Sequence, residues 1–207
     1  MSLKQPSCKQ CRREGEKLFL KGTRCHSQKC AIIRKNYIPG QGGASRRSKL
    51  TSYGIQLREK QKAKRIYGIR EKQFYGYYSD AAKKKGVTGL VLLQFLETRL
   101  DNIVYRLGWA PSRKLARQLV SHSQVQVNGQ TINIASYPLK IGDKITVKSK
   151  ARDNKYFQNE VNLHDYKAPV WLKANPTEMS GEIVALPSKD DIEANINEQL
   201  IIEFYSR

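Results

Sequence analysis

Residues 99–132, "RLDNIVYRLGWAPSRKLARQLVSHSQVQVNGQTI", decide the fold of this 207-residue chain. Apolar side chains at the start of this stretch and just before it recur at intervals of three and four residues. This spacing predicts a helix from Leu90 that ends at Gly108. A second, shorter helix is predicted after Pro111, with Ser112 at its start and basic side chains in its first turns. Alternating apolar residues around Asn128-Gly129 then predict a β-hairpin, because this dipeptide favours a tight two-residue turn.

More strands are predicted on the C-terminal side of this stretch. Residues 137–147 read as a turn followed by a strand, and residues 168–187 as two strands around a polar turn. Residues 198–205, "EQLIIEFY", are rich in β-branched and aromatic side chains, and we expect a final strand there. Residues 160–207 carry 9 acidic and 4 basic side chains. This part is therefore expected to face protein more than nucleic acid.

The N-terminal side is predicted to be helical and basic. Residues 51–68 predict a basic helix that begins near Ser52 and ends at Gly68. In residues 69–86, helical spacing relates Phe74, Tyr77, Tyr78 and Ala81. Such spacing favours a core face, while stacking of the rings on RNA bases is the alternative.

The charge of the chain is strongly positive. It contains 38 Lys and Arg against 18 Asp and Glu, and residues 1–90 hold 23 of the basic and 5 of the acidic side chains. This excess predicts a polyanionic partner, and nucleic acid is favoured over an acidic membrane surface because no aromatic-edged basic amphipathic helix is evident. The longest apolar run, residues 89–96, is too short to span a bilayer, and residues 1–11 do not resemble a secretory signal. We expect a protein kept inside the cell, with an organelle as the alternative if a transit segment has been removed.

All four cysteines lie within one short basic segment, and their spacing predicts a structural metal site. They are Cys8, Cys11, Cys25 and Cys30. Four thiolates would fill the tetrahedral shell of one Zn²⁺ and leave no position for catalysis. A disulfide or a redox-active pair is the alternative, disfavoured by a reducing compartment and by the lack of a strand–helix context. His26 is the alternative ligand to one thiolate, but a lone exposed histidine is favoured. A segment this basic lacks apolar residues for a core, so zinc would supply its folding free energy.

Basic side chains are the candidate RNA ligands. Residues 31–50 predict an extended, glycine-rich basic loop, and no Gly-Lys-Ser/Thr ending follows that would support nucleotide hydrolysis. The candidates in the first part of the chain are Arg12, Arg13, Lys21, Arg46, Arg47, Lys49, Arg58, Lys62, Arg65 and Arg70. The start of the second helix adds Arg113, Lys114 and Arg117, at a point where backbone N–H groups also attract anions.

Residues 99–132 resemble the small RNA-binding module of two helices and a β-hairpin that is named from protein four of the small ribosomal subunit. The module also occurs in some pseudouridine synthases, a tyrosyl-tRNA synthetase and heat-shock RNA binders. The stretches "CRREGEKLFLKG", "GIQLREKQKAKRIYGIREKQF" and "NINEQLIIEFYSR" are similar to the bacterial-type ribosomal protein family itself, in order and across nearly the whole chain. The four cysteines match the zinc ligands of its four-cysteine members.

This resemblance implies a protein of the cytoplasmic ribosome that binds a multi-helix junction in the five-prime domain of small-subunit rRNA early in assembly. It also implies one structural Zn²⁺, contact with ribosomal protein five of the same subunit and proximity to messenger RNA where it enters the subunit. The resemblance further implies a role in decoding accuracy. It implies neither a membrane partner nor a small-molecule substrate. The chain departs from the family before Cys8, where the leader is shortened, and at "PGQGGAS", residues 39–45.

Two other functions are weighed against this one. An RNA-modifying enzyme with the same module would need a separate catalytic domain, for which residues 150–207 are too few, and we expect no enzyme. A DNA-binding zinc regulator would need a recognition helix beside its zinc knuckle.

The expected fold class is α+β. A mainly helical, basic N-terminal domain with a zinc knuckle precedes a two-helix plus β-hairpin RNA-binding domain with additional antiparallel strands. The expected domains are a zinc module and loop at 1–48, a helical part at 49–90 that the strand 196–207 is able to join, the RNA-binding domain at 91–150 and an acidic, β-rich segment at 151–207.

Overall fold

The computed structural model describes residues 6–40, 43, 49–159, 168–192 and 195–207. The helices are α1 Ser7–Glu14, α2 Thr23–His26, α3 Ala31–Arg34, α4 Ser52–Ile66, α5 Glu71–Lys83, α6 Thr88–Glu97, α7 Leu100–Arg106, α8 Arg113–Ser121, α9 Ser149–Arg152, α10 Lys155–Asn159 and α11 Glu198–Tyr205. The strands are β1 Val125–Val127, β2 Gln130–Thr131, β3 Lys144–Val147, β4 Leu172–Asn175 and β5 Ser180–Ile183. Within the described ranges, no helix combines the length and apolar character that crossing a membrane requires.

The chain divides into two compact units. The N-terminal unit consists of Met1–Leu93 together with Ala194–Arg207, and the central unit of Gln94–Glu193. The N-terminal unit is helical and the central unit contains an antiparallel sheet, so the coarse prediction of a helical domain followed by an α+β domain is confirmed.

The N-terminal unit is organised around α4. This helix begins at Ser52, and Thr51 caps it, since the Thr51 hydroxyl accepts a hydrogen bond from the Gly54 N–H at 3.2 Å. The C-terminal helix α11 packs against α4. Gln56 Nε2 donates to Glu203 Oε2 at 2.8 Å, and the Asn197 N–H donates to Glu59 Oε1 at 2.8 Å.

The prediction of a final strand at 196–207 is wrong, because α11 is a helix. The Asn197 side chain caps it by accepting from the N–H groups of Gln199 and Leu200. Ile201 is fully buried, while Ile202 and Phe204 are half-buried. The β-branched pair at 201 and 202 suggested a strand, but the asparagine cap and the packing face outweigh this weak local preference.

Aromatic rings join α5 to α11. Phe74 and Ala81 are fully buried on α5, as the core interpretation of their spacing predicted, whereas Tyr77 and Tyr78 are half-buried. The rings of Tyr78 and Tyr205 stack with centroids 4.7 Å apart, and the Tyr205 hydroxyl donates to Glu71 Oε1 at 2.8 Å.

The central unit contains a five-stranded antiparallel sheet in the order β2-β1-β3-β5-β4. The predicted hairpin is confirmed: Val127 pairs with Gln130, and Asn128 and Gly129 both have positive φ, +49° and +81°, as a tight primed turn requires. The core is a continuous cluster contributed by α7, α8 and the strands, and Trp171 belongs to it.

The prediction of one continuous helix from Leu90 to Gly108 is wrong, because the helix breaks between α6 and α7. Arg99 has an extended backbone, φ −69° and ψ 140°, and forms a β-bridge with Pro138. The Leu139 N–H donates to Thr98 O and the Leu100 N–H to Tyr137 O, both at 3.0 Å. Helical periodicity continues through the break because both helices contribute to the same apolar pattern, so the pattern alone does not reveal it.

Candidate nucleic-acid interface and metal centre

The four cysteines lie on or directly beside three short helices, and they line one cavity. Cys8 and Cys11 lie on α1, Cys25 lies on α2, and Cys30 immediately precedes α3. Cys8 is half-buried, the other three are buried, and all four are free thiols. His26, the alternative ligand, is not among the residues that line this cavity; its ring contacts Phe19 instead.

Backbone N–H groups point at two of the sulfur atoms. The Lys21 N–H donates to Cys25 Sγ at 3.3 Å, and the Leu18 N–H hydrogen-bonds Cys11. Burial raises the pKa of the Cys11 thiol, the Leu18 N–H opposes that shift, and the other three cysteines add to it. Donors of this kind stabilise thiolates, and four soft sulfur donors around one cavity suit Zn²⁺.

The thiols share a cavity without forming a ready metal site. Among the described residues, no group of three or more His, Cys, Asp or Glu side chains has an arrangement that could hold a metal ion. Zinc therefore stays a prediction, supported by the donor set and the shared cavity.

Several candidate RNA ligands of the N-terminal unit are exposed. Arg13, Lys21, Lys49 and Arg70 lie at the surface. Arg12 is half-buried. Its Nε donates to the backbone carbonyl oxygen of Tyr37 at 3.0 Å, and its guanidinium lies 4.4 Å from the centroid of the Tyr37 ring. Arg46 and Arg47 lie outside the described residues.

The three candidates on α4 are paired with acidic side chains. Arg58 and Arg65 both contact Glu14 Oε1, which belongs to α1 and whose side chain is 2% exposed. Lys62, itself buried, lies 3.0 Å from Glu16 and 3.2 Å from Glu59. Burial raises the pKa of Glu14 although Arg65 and Arg58 oppose the shift. These cations therefore attach the cysteine-bearing segment to α4 in addition to any contact with RNA.

The three candidate RNA ligands at the start of α8 differ from one another in exposure and in their polar contacts. The Ser112 hydroxyl caps the helix by accepting from the Leu115 N–H at 3.4 Å. Lys114 is exposed. Arg113 donates from Nε to Asn102 Oδ1 at 2.7 Å and lies 4.4 Å from the Tyr105 ring centroid. Arg117 is half-buried, with Nε 3.9 Å from Asp101 Oδ2.

A buried polar network supports this helix start, and sequence analysis missed most of it. Arg106 forms two 2.9 Å hydrogen bonds to the Glu97 carboxylate, and both side chains are at most 1% exposed. Asn102 Nδ2 donates to Glu97 Oε2 at 2.7 Å. Arg99 binds the Asp101 carboxylate in a similar way, through two hydrogen bonds of 3.0 and 2.7 Å. The available signal was the presence of charged residues inside a strongly apolar helical stretch.

Comparison with known proteins identifies related chains. Residues 2–97 match the family described as ribosomal protein S4/S9 N-terminal domain, and residues 98–145 match the S4 domain. The chain is 52% identical to small ribosomal subunit protein uS4 of Natranaerobius thermophilus, over 98% of this chain and 97% of the relative. The proteins of the same name from Acetivibrio thermocellus and Clostridioides difficile are 54% and 52% identical, over 97% of both chains in each case.

The matches cover both parts of the chain that carry candidate RNA ligands. The S4 domain match spans α7, α8, the hairpin and the beginning of β3, and the N-terminal match includes the cysteine segment, α4 and α5. Taken together, they show that the chain belongs to the ribosomal protein S4 family.

Proposed function

We propose that the chain is a structural, non-enzymatic constituent of the small ribosomal subunit that binds ribosomal RNA. The observation that carries this proposal is that the chain matches proteins named for that role along nearly its whole length and exposes cations in both matched regions. Binding is electrostatic: Lys and Arg displace counterions condensed on closely spaced phosphates, while the folded surface selects an RNA shape.

The cations divide into two groups with different tasks. The exposed ones contact phosphates: Arg13, Lys21, Lys49, Arg70 and Lys114. The paired ones, exemplified by Lys62 and Arg113, mainly hold the surface in shape because their charge is already met by neighbouring polar groups. A charge paired inside the protein releases fewer RNA counterions than an exposed one.

Salt titration of RNA binding tests this division. The full-length protein binds a transcript of the five-prime domain of small-subunit rRNA, and each phosphate contacted contributes about 0.7–0.9 to the slope of log affinity against log salt. We expect K114A to reduce the magnitude of this slope by about 0.7–0.9, the contribution of one phosphate contact. R113A is the matched neighbour, and we expect it to lower the melting temperature while changing the slope less. Equal affinity for polyuridylate and for the transcript at physiological salt would contradict the proposal.

The resemblance supports a finer proposal. The chain binds a multi-helix junction in the five-prime rRNA domain, contacts ribosomal protein five, lies near messenger RNA where it enters the subunit and influences decoding accuracy on cytoplasmic ribosomes. Crosslinking in cells followed by sequencing of the attached RNA tests the rRNA site. Crosslinks spread over messenger RNAs or transfer RNAs without enrichment of the five-prime domain would contradict it.

The acidic C-terminal part is the proposed surface for ribosomal protein five, and Asp190 is its best probe. Glu182 lies on β5 directly between Lys144 and Lys173 on the neighbouring strands, and Asp191 accepts hydrogen bonds from Ser188. Asp191 is therefore held by hydrogen bonds, and Glu182, although exposed, has a lysine opposite it on either side, whereas Asp190 is simply exposed. D190K should weaken binding of purified ribosomal protein five and leave RNA affinity unchanged; an equal loss of both would count against this surface.

We also infer that Cys8, Cys11, Cys25 and Cys30 hold one structural Zn²⁺. The shared cavity, the burial of three thiols and the N–H donors at Cys11 and Cys25 support this inference. Bound zinc would keep these sulfur atoms deprotonated and would fix α1, α2 and α3 relative to one another. Elemental analysis of purified protein should find about one zinc per chain.

A further inference from the structure

Two aromatic rings lie together at the surface of the cysteine-bearing segment. The ring centroids of Phe19 and His26 are 5.0 Å apart, and the ring planes are inclined by 31°. Phe19 is 40% exposed and His26 is also exposed. On either side of Phe19 in the chain, Leu18 is buried and Leu20 is half-buried. Phe19 is thus the apolar side chain of this run that faces solvent.

The backbone at Phe19 is unusual for such a residue. Its φ is +49°, in the left-handed region that glycine and asparagine adopt far more readily than bulky side chains. An exposed ring adds little to a core, so folding alone gives no reason for phenylalanine at a position whose backbone disfavours it. Backbone outliers of this kind concentrate at binding sites.

The surroundings of the two rings are positively charged. The exposed cations nearest to them in the chain are Lys17, Lys21, Arg24 and Lys29. The one acidic residue within residues 15–30 is Glu16, which is paired with Lys62 at 3.0 Å. An aromatic surface bordered by cations matches the two chemical parts of a nucleotide, the flat base and its phosphate.

We propose that Phe19 and His26 form a platform on which one unpaired RNA base stacks while the flanking cations contact the adjacent phosphates. This inference rests on the proposed rRNA binding and specifies where the chain contacts a base. Because every base offers a π face, the platform selects an unpaired, accessible nucleotide and tolerates different base identities.

Substitution of Phe19 in the full-length protein tests the platform. F19L keeps an apolar side chain and the same backbone demand but removes the aromatic face. Its affinity for the five-prime-domain transcript should fall by about fivefold or more, the effect typical of losing one base–aromatic stack. The slope of log affinity against log salt should stay unchanged, because no phosphate contact is lost. F19Y retains the ring and should retain wild-type affinity.

A second exposed ring of the same unit provides the matched control. Tyr53 on α4 is 50% exposed, and Y53L should bind the transcript like the wild type. Acylation probing of RNA 2′-hydroxyls locates the nucleotide: wild-type protein should quench one unpaired position, and F19L should restore reactivity there and nowhere else. Circular dichroism confirms that both variants fold.

The outcomes separate this inference from the function on which it rests. Equal affinity of F19L and wild type, or equal losses in F19L and Y53L, would overturn the platform alone. Failure of the wild type to bind the transcript would overturn the proposed function and the platform with it. F19L that keeps RNA affinity but fails to join assembled subunits would assign the ring to a protein neighbour and overturn the platform.

Discussion

The two units of the chain bury charge in different ways. In the central unit the Glu97–Arg106 pair lies beside a continuous apolar core, with both side chains at most 1% exposed. In the N-terminal unit several pairs keep one partner nearer water: Glu71 and Glu16 remain 45% and 48% exposed beside their buried lysines, and Arg58 is 25% exposed beside Glu14. The central unit should therefore depend on a few buried groups, and the N-terminal unit on many weaker contacts and on its cysteines.

Removing the proposed zinc gives the largest expected difference between the units. A strong chelator, or C11S, should abolish protection of amide hydrogens in α1–α3 and leave β1 and β3 protected. The expected loss is large because zinc binding to small structural sites contributes about 10–16 kcal/mol, more than any single side chain contributes. Hydrogen exchange followed by mass spectrometry measures both regions in one sample.

The control for this experiment is H26A. His26 does not line the cysteine cavity, so the variant should retain its zinc and the protection of α1–α3. Zinc-free protein with fully protected α1–α3 would show that the segment folds without the metal.

Breaking the buried pair should have the next largest effect, confined to the central unit. E97Q leaves the Arg106 guanidinium in the interior without its carboxylate and weakens the bond to Asn102. We expect the free energy of unfolding to fall by about 3–5 kcal/mol, the usual cost of leaving a buried charge uncompensated. Urea denaturation measures it.

D190N is the matched control, since it removes an acidic charge from the surface of the same unit. We expect a change of less than about 0.5 kcal/mol. If E97Q and D190N were equally stable, the buried pair would contribute no more than a surface charge, and the contrast between the units would disappear.

The sequence predicted those parts of the fold whose signals are local. Alternation around Asn128-Gly129 identified the hairpin, and the cap and spacing after Pro111 identified α8, because turn chemistry and periodicity act over a few residues. The break at Thr98–Arg99 was not predictable in this way. It depends on backbone pairing with residues 137–139, some forty positions along the chain.

The candidate site shows the same limit. Cysteine spacing predicted one metal site, which stays a prediction, and the four side chains line one cavity. The pairing of Lys62 with Glu16 and of Arg65 with Glu14 was not predictable, because each acid is about fifty residues away from its partner. A basic helix reads as a solvated or RNA-facing surface until its acidic partners are located in space.

The space around two glycines also differs between the central unit and the N-terminal unit, with a smaller expected effect on stability. A Cβ at Gly181 on β5 would lie 2.5 and 2.7 Å from the methyl groups of Leu107, which is 2% exposed and packed in the core. G181A should therefore lower the free energy of unfolding by about 1–3 kcal/mol, the usual cost of overpacking. A Cβ added at Gly76 on α5 would have no atom of the described residues within 4 Å, apart from its chain neighbours and the nearby backbone of its own helix. G76A should be neutral or stabilising by up to about 1 kcal/mol, and thermal melting distinguishes the two.

The smallest expected effect is the acid response of the N-terminal unit. Burial opposes ionisation of Glu71, but hydrogen bonds from Lys60, Lys64 and Tyr205 outweigh it and lower the pKa to about 2, from an ordinary value of 4.5. Because the folded state holds the carboxylate in its charged form, its stabilising contribution is present above pH 4.5 and is lost as pH falls towards 2.

E71Q should therefore melt below the wild type at pH 6, and this difference should shrink as pH falls through that window. Since the Glu71 side chain is 45% exposed, we expect less than about 1 kcal/mol after allowing for solvent screening. D80N is the control on the same helix, because the Asp80 side chain is 66% exposed and 3.8 Å from Lys83. A melting difference between E71Q and wild type that stayed constant from pH 6 to pH 2 would mean that the carboxylate charge does not join α5 to α4 and α11.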